Sequence, residues 1–139
     1  MRIDLFIFLT LCVILLFSCS ETEHVDKSVE TIDEKVHSKL IFEKTKIEIK
    51  NVKRGEVIEG IYTFKNTGEN VLTIEYVNPD CTCTSYEVSS NKVLPGQEGW
   101  VKLVLDTKDK LPETRINATV RTNTDQRFHR LVLKASIID

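Results

Sequence analysis

The sequence has no excess of positive charge: 19 Lys and Arg stand against 21 Asp and Glu, for a formal charge of -2. It therefore lacks the electrostatic footprint of a phosphate-backbone binder, and nucleic acid is not an expected partner. Length is limited as well. A chain of 139 residues suffices for one domain of ordinary size, but not for two with separate cores. Histidine is scarce: His24 and His37 fall in an acidic stretch near the start, and only His129 lies further along. The carboxylates Glu75, Glu87, Asp106 and Asp109 are spread over predicted strands and loops, with no motif pairing them for acid–base work. These absences argue against an enzyme and leave no catalytic residue to nominate. Disorder is not expected as the dominant state, because 41% hydrophobic and 29% charged residues lie in the globular range. No segment repeats another closely enough to indicate an internal duplication.

The one long apolar run, Leu5 to Phe17, reads LFIFLTLCVILLF. It is too short to span ~30 Å of hydrocarbon as a helix, but it suits the core of a signal peptide. Arg2 and the α-amino group supply the positive end, with Asp4 as a departure from the usual pattern. The run closes on Leu16-Phe17-Ser18-Cys19, which resembles the lipobox of bacterial lipoprotein precursors: an aliphatic residue three before a cysteine, and a small residue just before it. That resemblance implies cleavage before Cys19 and transfer of a diacylglyceryl group to its thiol. Cys19 is then the lipidation site and the bilayer a partner, since several acyl chains at ~0.8 kcal/mol per buried CH₂ anchor a protein durably. Cys12 would leave with the signal helix.

The expected organisation is a signal peptide over 1–18, a lipidated acidic tether over 19–38 and a folded domain over 39–139. From Ser20 to Ser38 the sequence SETEHVDKSVETIDEKVHS is acidic and free of aromatics, as a solvated spacer is. A flexible coil of this length spans ~25 Å. Val25, Val29, Ile32 and Val36 do form a stripe at helical spacing. All four are β-branched and the segment is short, so a flexible tether is favoured over a docked helix. Ser20-Glu21-Thr22-Glu23 resembles acidic export tags of some didermic bacteria. The expected location is thus the outer membrane of a bacterial envelope, on its periplasmic or surface face, in preference to the inner membrane.

From Leu40 onward the hydrophobic period becomes two, with turn signals between short segments, which is the pattern of an all-β sandwich. Ile47 and Ile49 alternate first. Ile58, Tyr62 and Phe64 share the next face, with Gly60 leaving room for a close neighbour. Asn66 to Asn70 reads as a turn. Leu72, Ile74 and Tyr76 form a third set, which ends where Pro79 cannot donate to a ladder. After Leu94-Pro95-Gly96, another turn, Val101, Leu103 and Leu105 are expected inward, with Lys102 and Asp106 outward. Ile116, Ala118 and Val120 follow, then Leu131, Leu133, Ala135 and Ile137. His129 is expected at the surface. Trp100 reads either as an exposed aromatic for a partner or as a lid on the sandwich edge, the second being favoured. Asn117-Ala118-Thr119 spells a glycosylation acceptor, but it lies in a predicted strand of a bacterial export product and is set aside.

Gly55-Glu56-Val57-Ile58-Glu59-Gly60, Phe64-Lys65-Asn66-Thr67-Gly68, Cys81-Thr82-Cys83-Thr84, Leu94-Pro95-Gly96 and Thr122-Asn123 resemble, in this order, the bacterial domain-of-unknown-function family 1573. The resemblance covers most of Leu40 to Ile138. It implies a Hydin-type, major-sperm-protein-related immunoglobulin fold that often follows lipoprotein signals and has no established enzymatic activity. The family spells its cysteines Cys-Gly-Cys-Thr. Here Thr82 replaces the glycine, which bears on a turn that needs positive φ.

Cys81 and Cys83 are the thiols left after lipidation, and an exported compartment permits disulfides. Three readings of the pair stay open. Bridged, they form a small ring; in extended geometry their Cα atoms lie near the upper limit of disulfide reach, the setting of an easily reduced, redox-active bond. As thiolates they are candidate ligands for Cu(I) or Zn²⁺, needing further donors of which His129 is the local one. In the third reading they shape the bend after Pro79 and nothing more, and this is favoured.

The sequence therefore predicts an all-β, immunoglobulin-like sandwich of about seven strands behind a signal helix and a flexible tether. The expected function is a membrane-anchored envelope lipoprotein with a non-catalytic binding or adaptor domain for an envelope protein, needing no cofactor. The alternative is a thiol-redox or soft-metal-handling protein using Cys81 and Cys83.

Overall fold

The computed structural model describes residues 38–139, so the expected signal peptide, Cys19 and residues 20–37 of the expected tether lie outside the described residues. Among the described residues nine strands form two sheets. In chain order they are β1 (Leu40–Phe42), β2 (Lys46–Lys53), β3 (Val57–Asn66), β4 (Leu72–Pro79), β5 (Thr84–Val88), β6 (Lys92–Val93), β7 (Glu98–Asp106), β8 (Glu113–Thr122) and β9 (Phe128–Ile138). The first sheet is ordered β1-β3-β7-β5 and the second β2-β9-β8-β4-β6. All pairings are antiparallel except β2 with β9. The count exceeds the expected seven by the two shortest edge strands, β1 and β6, whose three and two residues are too few to show an alternation.

The inward residues of the four long strands are those the period-two pattern selects. Tyr62 and Phe64 of β3, Val101, Leu103 and Leu105 of β7, Ala118 and Val120 of β8, and Leu131, Leu133 and Ala135 of β9 are all buried. Each large apolar side chain taken from water contributes about 1.5–3 kcal/mol, so these faces dominate the fold's stability. Gly60 lets the sheets approach there: a Cβ at that position would sit 3.0 Å from Leu133 Cδ1. Ile47 and Ile49 alternate as expected but are only half-buried, because β2 is an edge strand.

Tyr76 corrects the third expected set. The register between β4 and β8 shifts between Ile74 and Tyr76, so Val77 turns into the core and Tyr76 is exposed. A β-bulge of this kind reverses the parity of everything after it, which an unbroken alternation cannot anticipate. Both expected turns are present. Asn66, fully buried, accepts the Gly68 N–H at Oδ1 and donates from Nδ2 to the carbonyls of Asn70 and Val93. Gly96 takes a φ of +77° where the Gln97 N–H donates to Leu94 O, a turn geometry that favours glycine.

Candidate functional site

The cysteines occupy the turn that follows β4. Pro79 ends the strand, and the Thr84 N–H then donates to Cys81 O at 3.1 Å, closing a tight turn. Asp80 pins that turn to β8 by accepting the Asn117 N–H at Oδ1 and an Nδ2 hydrogen of Asn117 at Oδ2, 3.0 and 2.7 Å away. Cys81 and Cys83 are joined by a disulfide with their Cα atoms 5.2 Å apart. The turn brings them well inside ordinary disulfide reach, closer than the extended geometry expected from sequence. Thr82 is accommodated without a positive φ; among the described residues Asn51 is the only non-glycine with one.

The two sulfurs have different surroundings. Cys81 Sγ receives the Cys83 N–H at 3.3 Å and faces Lys110 Nζ at 3.5 Å. Cys83 instead lines an open pocket of about 260 Å³ with Asp106, Lys108, Asp109 and Lys110. His129 is not brought to this turn. Among the described residues no group of three or more His, Cys, Asp and Glu is placed to hold a metal ion.

His129 is buried, not at the surface. Its parity is that of Leu131, Leu133 and Ala135, a signal present in the sequence, and it pairs with inward-facing Val120. Phe42 lies edge-on to its ring at 5.8 Å and Thr122 Oγ1 is 3.4 Å from Nε2. Burial holds its pKa below the ordinary histidine range, against a smaller raising effect from the Gln126 backbone.

The outward faces of the sheets differ in chemistry. On the first sheet Ile61 lies opposite Lys102, Thr63 opposite Trp100 and Glu59 opposite Val104. Ile41 and Ile61 are each 48% exposed. Trp100 is half-buried on this same face, with Lys102 Nζ 6.0 Å from its ring centre. Lys102 reaches Glu87 at 2.8 Å and Glu59 at 3.5 Å. The hydrogen bond that Lys102 donates to Glu87 chiefly, with the two negative charges, holds it above the usual lysine range. Ile41, Thr63, Phe64, Lys65 and Glu98 line a pocket of about 300 Å³ beside β1.

The outward face of the second sheet carries more cations, with Tyr76 and Phe128 exposed among them. Arg115 lies opposite Lys134 and Thr119 opposite Arg130, while Tyr76 and Phe128 flank Arg121 from the two neighbouring strands. The Arg121 guanidinium is 5.8 Å from both aromatic ring centres. Glu75 Oε2 approaches Arg121 Nε to 2.6 Å, an ion pair whose angle falls short of an aligned hydrogen bond. Glu75 and Glu87 are thus engaged by cations on separate sheets, and of the four carboxylates singled out in the sequence Asp106 and Asp109 share a pocket.

Residues 40–137 match the model of a family described as "Protein of unknown function (DUF1573)". No curated protein matches the chain. Among solved structures, a protein of unknown function from Porphyromonas gingivalis W83 is similar with a TM-score of 0.65 at 13% identity, over 71% of this chain and 46% of that one. The secreted serine protease VesC from Vibrio cholerae gives 0.55 at 10% identity, over 76% and 24%. The PapD-like domain 7 of human CEP192 gives 0.53 at 12% identity, over 86% and 97%. The chain thus spans less than half the length of the first two, and at these identities the likeness is one of fold: an immunoglobulin-like, PapD-like sandwich.

Proposed function

We propose, from the premise that this chain belongs to the DUF1573 family of proteins of unknown function, that it is a lipid-anchored envelope protein whose sandwich binds another protein without catalysis. The observation that carries this reading is the outward face of the first sheet. Trp100, Ile61 and Val104 lie there close to Lys102, whose charge is met by Glu59 and Glu87, and Ile41 lies further along the same face opposite Lys65. An aromatic anchor in an apolar setting, bordered by charges, is the composition of a protein interface centre. A PapD-like fold supports the same class, since such sandwiches supply rigid faces and edge strands rather than enclosed reaction chambers. The likeness to the protease VesC, at 10% identity over 24% of that chain, is one of fold alone.

The anchor in this reading is Cys19, acylated after removal of residues 1–18, with the acidic stretch to about residue 38 spacing the domain from an outer-membrane surface. Two experiments test the two halves. A photoreactive amino acid at Ile61 is expected to give a discrete cross-linked protein in intact cells, and one at Arg115 much less; equal or reversed yields would overturn the choice of face. Labelled fatty acid is expected in the wild type and not in Cys19→Ala, and label retained by the variant would overturn the anchor.

A further inference from the structure

We propose that the Cys81–Cys83 disulfide is a site of thiol–disulfide exchange that accepts two electrons from a vicinal dithiol of another protein, Cys83 being the sulfur attacked and Cys81 the sulfur that leaves. This goes beyond the binding role above and does not depend on it.

The assignment rests on the asymmetry of the pair. Both cysteines are half-buried, but Cys83 borders the open pocket through which an incoming thiolate can approach, and among the described residues its sulfur has only the Thr84 hydroxyl as a hydrogen-bonding partner, at 3.8 Å. Cys81 Sγ instead faces two donors, the Lys110 ammonium at 3.5 Å and the Cys83 N–H at 3.3 Å. A neutral disulfide sulfur gains little from either, whereas a thiolate gains from both, so the contacts favour the state in which the S–S bond is broken and the charge sits on Cys81. Exchange speeds up as the leaving thiolate is stabilised. A purely structural role has little to recommend it. The bond encloses only Thr82, so it removes little chain entropy from the unfolded state. The turn is also already held by the Thr84 N–H to Cys81 O bond and by the two bonds between Asp80 and Asn117.

The step balances as follows. A partner thiolate attacks Cys83 Sγ, the S–S bond breaks, and Cys81 departs as a thiolate beside Lys110, leaving a mixed disulfide between Cys83 and the partner. The partner's second thiolate then attacks its own sulfur in that mixed disulfide and releases Cys83, which takes a proton from solvent. The partner dithiol is oxidised to a disulfide and the Cys81–Cys83 pair is reduced by two electrons. The pocket walls carry both signs, with Asp106 and Asp109 beside Lys108 and Lys110. The occupant this suits is a polar cysteine-bearing peptide segment rather than a strongly charged one.

The test uses the purified full-length protein with dithiothreitol as the probe dithiol, quenching with a maleimide and weighing the products. Reduction is expected to be fast in the wild type, about tenfold slower in Lys110→Met, and close to wild type in Lys110→Arg. With limiting glutathione, peptide mapping is expected to place the trapped adduct on Cys83. In the reduced protein Cys81 is expected to be alkylated at lower pH than Cys83, an ordering that Lys110→Met should remove. A wild type that resists dithiothreitol, an adduct on Cys81, or Lys110→Met reacting like wild type with its thermal transition intact would each overturn the proposal.

Discussion

Where the two sheets meet, they are built alike. The first contributes Tyr62, Phe64, Val101, Leu103 and Leu105, the second Val77, Ala118, Val120, Leu131 and Leu133, all with almost no exposed surface. Where the sheets meet solvent they part: apolar residues, Trp100 and carboxylates around Lys102 on one, and several arginines with Lys134, flanked by Tyr76 and Phe128, on the other. Folding constrains the inward positions in the same way on both sides, since any large apolar side chain of suitable shape serves. It constrains the outward positions hardly at all, so a difference there reflects what each face touches.

The largest effect is expected where the sheets are equivalent. Leu103→Asp in the first sheet and Val120→Asp in the second each bury a carboxylate without a partner among apolar side chains. Both should lose more than about 4 kcal/mol and show no cooperative thermal transition. If one variant kept its transition, the claim that the inward faces carry equal weight would fail.

Next in size is a test of how the outward faces differ. Trp100→Ala and Ile61→Glu on the first sheet are expected to weaken partner capture at least tenfold, as loss of an interface anchor does. Arg115→Glu on the second should change it little. Quantitative cross-linking yields in cells measure this, with thermal melting to confirm that all three variants fold. A stronger loss from Arg115→Glu would reverse the assignment of faces.

The same division explains how much could be read from sequence. The inward sets of β3, β7, β8 and β9 were legible because each strand is long, regular and buried on one face only. The pattern failed at Tyr76, where one bulge reversed the parity, and at His129, whose polarity masked a parity it shares with Leu131. Strands β1 and β6 were too short to leave a period. At the cysteines the spacing allowed a bridge, but the approach of Lys110 from 29 residues further on depends on a tertiary fold that no local pattern encodes.

Each sheet also carries one ionisable group into the core, and these two should respond differently. His129, on the second sheet, has its pKa lowered by burial, so the unfolded chain takes up the proton first. The domain's stability is therefore fully present above the unfolded value of about 6.5, falls as pH drops from there through the folded value, and levels off below it. Melting temperatures across this window should show the decline in the wild type and lose that component in His129→Leu. An unchanged pH profile in the variant would mean that another group is responsible.

Tyr62, the counterpart on the first sheet, should give the smallest effect and the finest test of the comparison. Its side chain is fully buried, burial raises the pKa of its hydroxyl far above the usual tyrosine range, and that hydroxyl finds no hydrogen-bond partner among the described residues. A buried hydroxyl without a partner keeps its desolvation cost and gains nothing in return. Tyr62→Phe removes the oxygen and leaves the ring, which packs beside Gly60 against the facing sheet. The variant should therefore match the wild type or exceed it by up to about 1 kcal/mol in denaturant unfolding, the reverse of the usual penalty for deleting a polar group. A loss of about 1 kcal/mol or more would indicate a hydrogen bond to water in the core at this point, and the first sheet's inward face would then hold a satisfied polar group, as the second does where His129 meets Thr122.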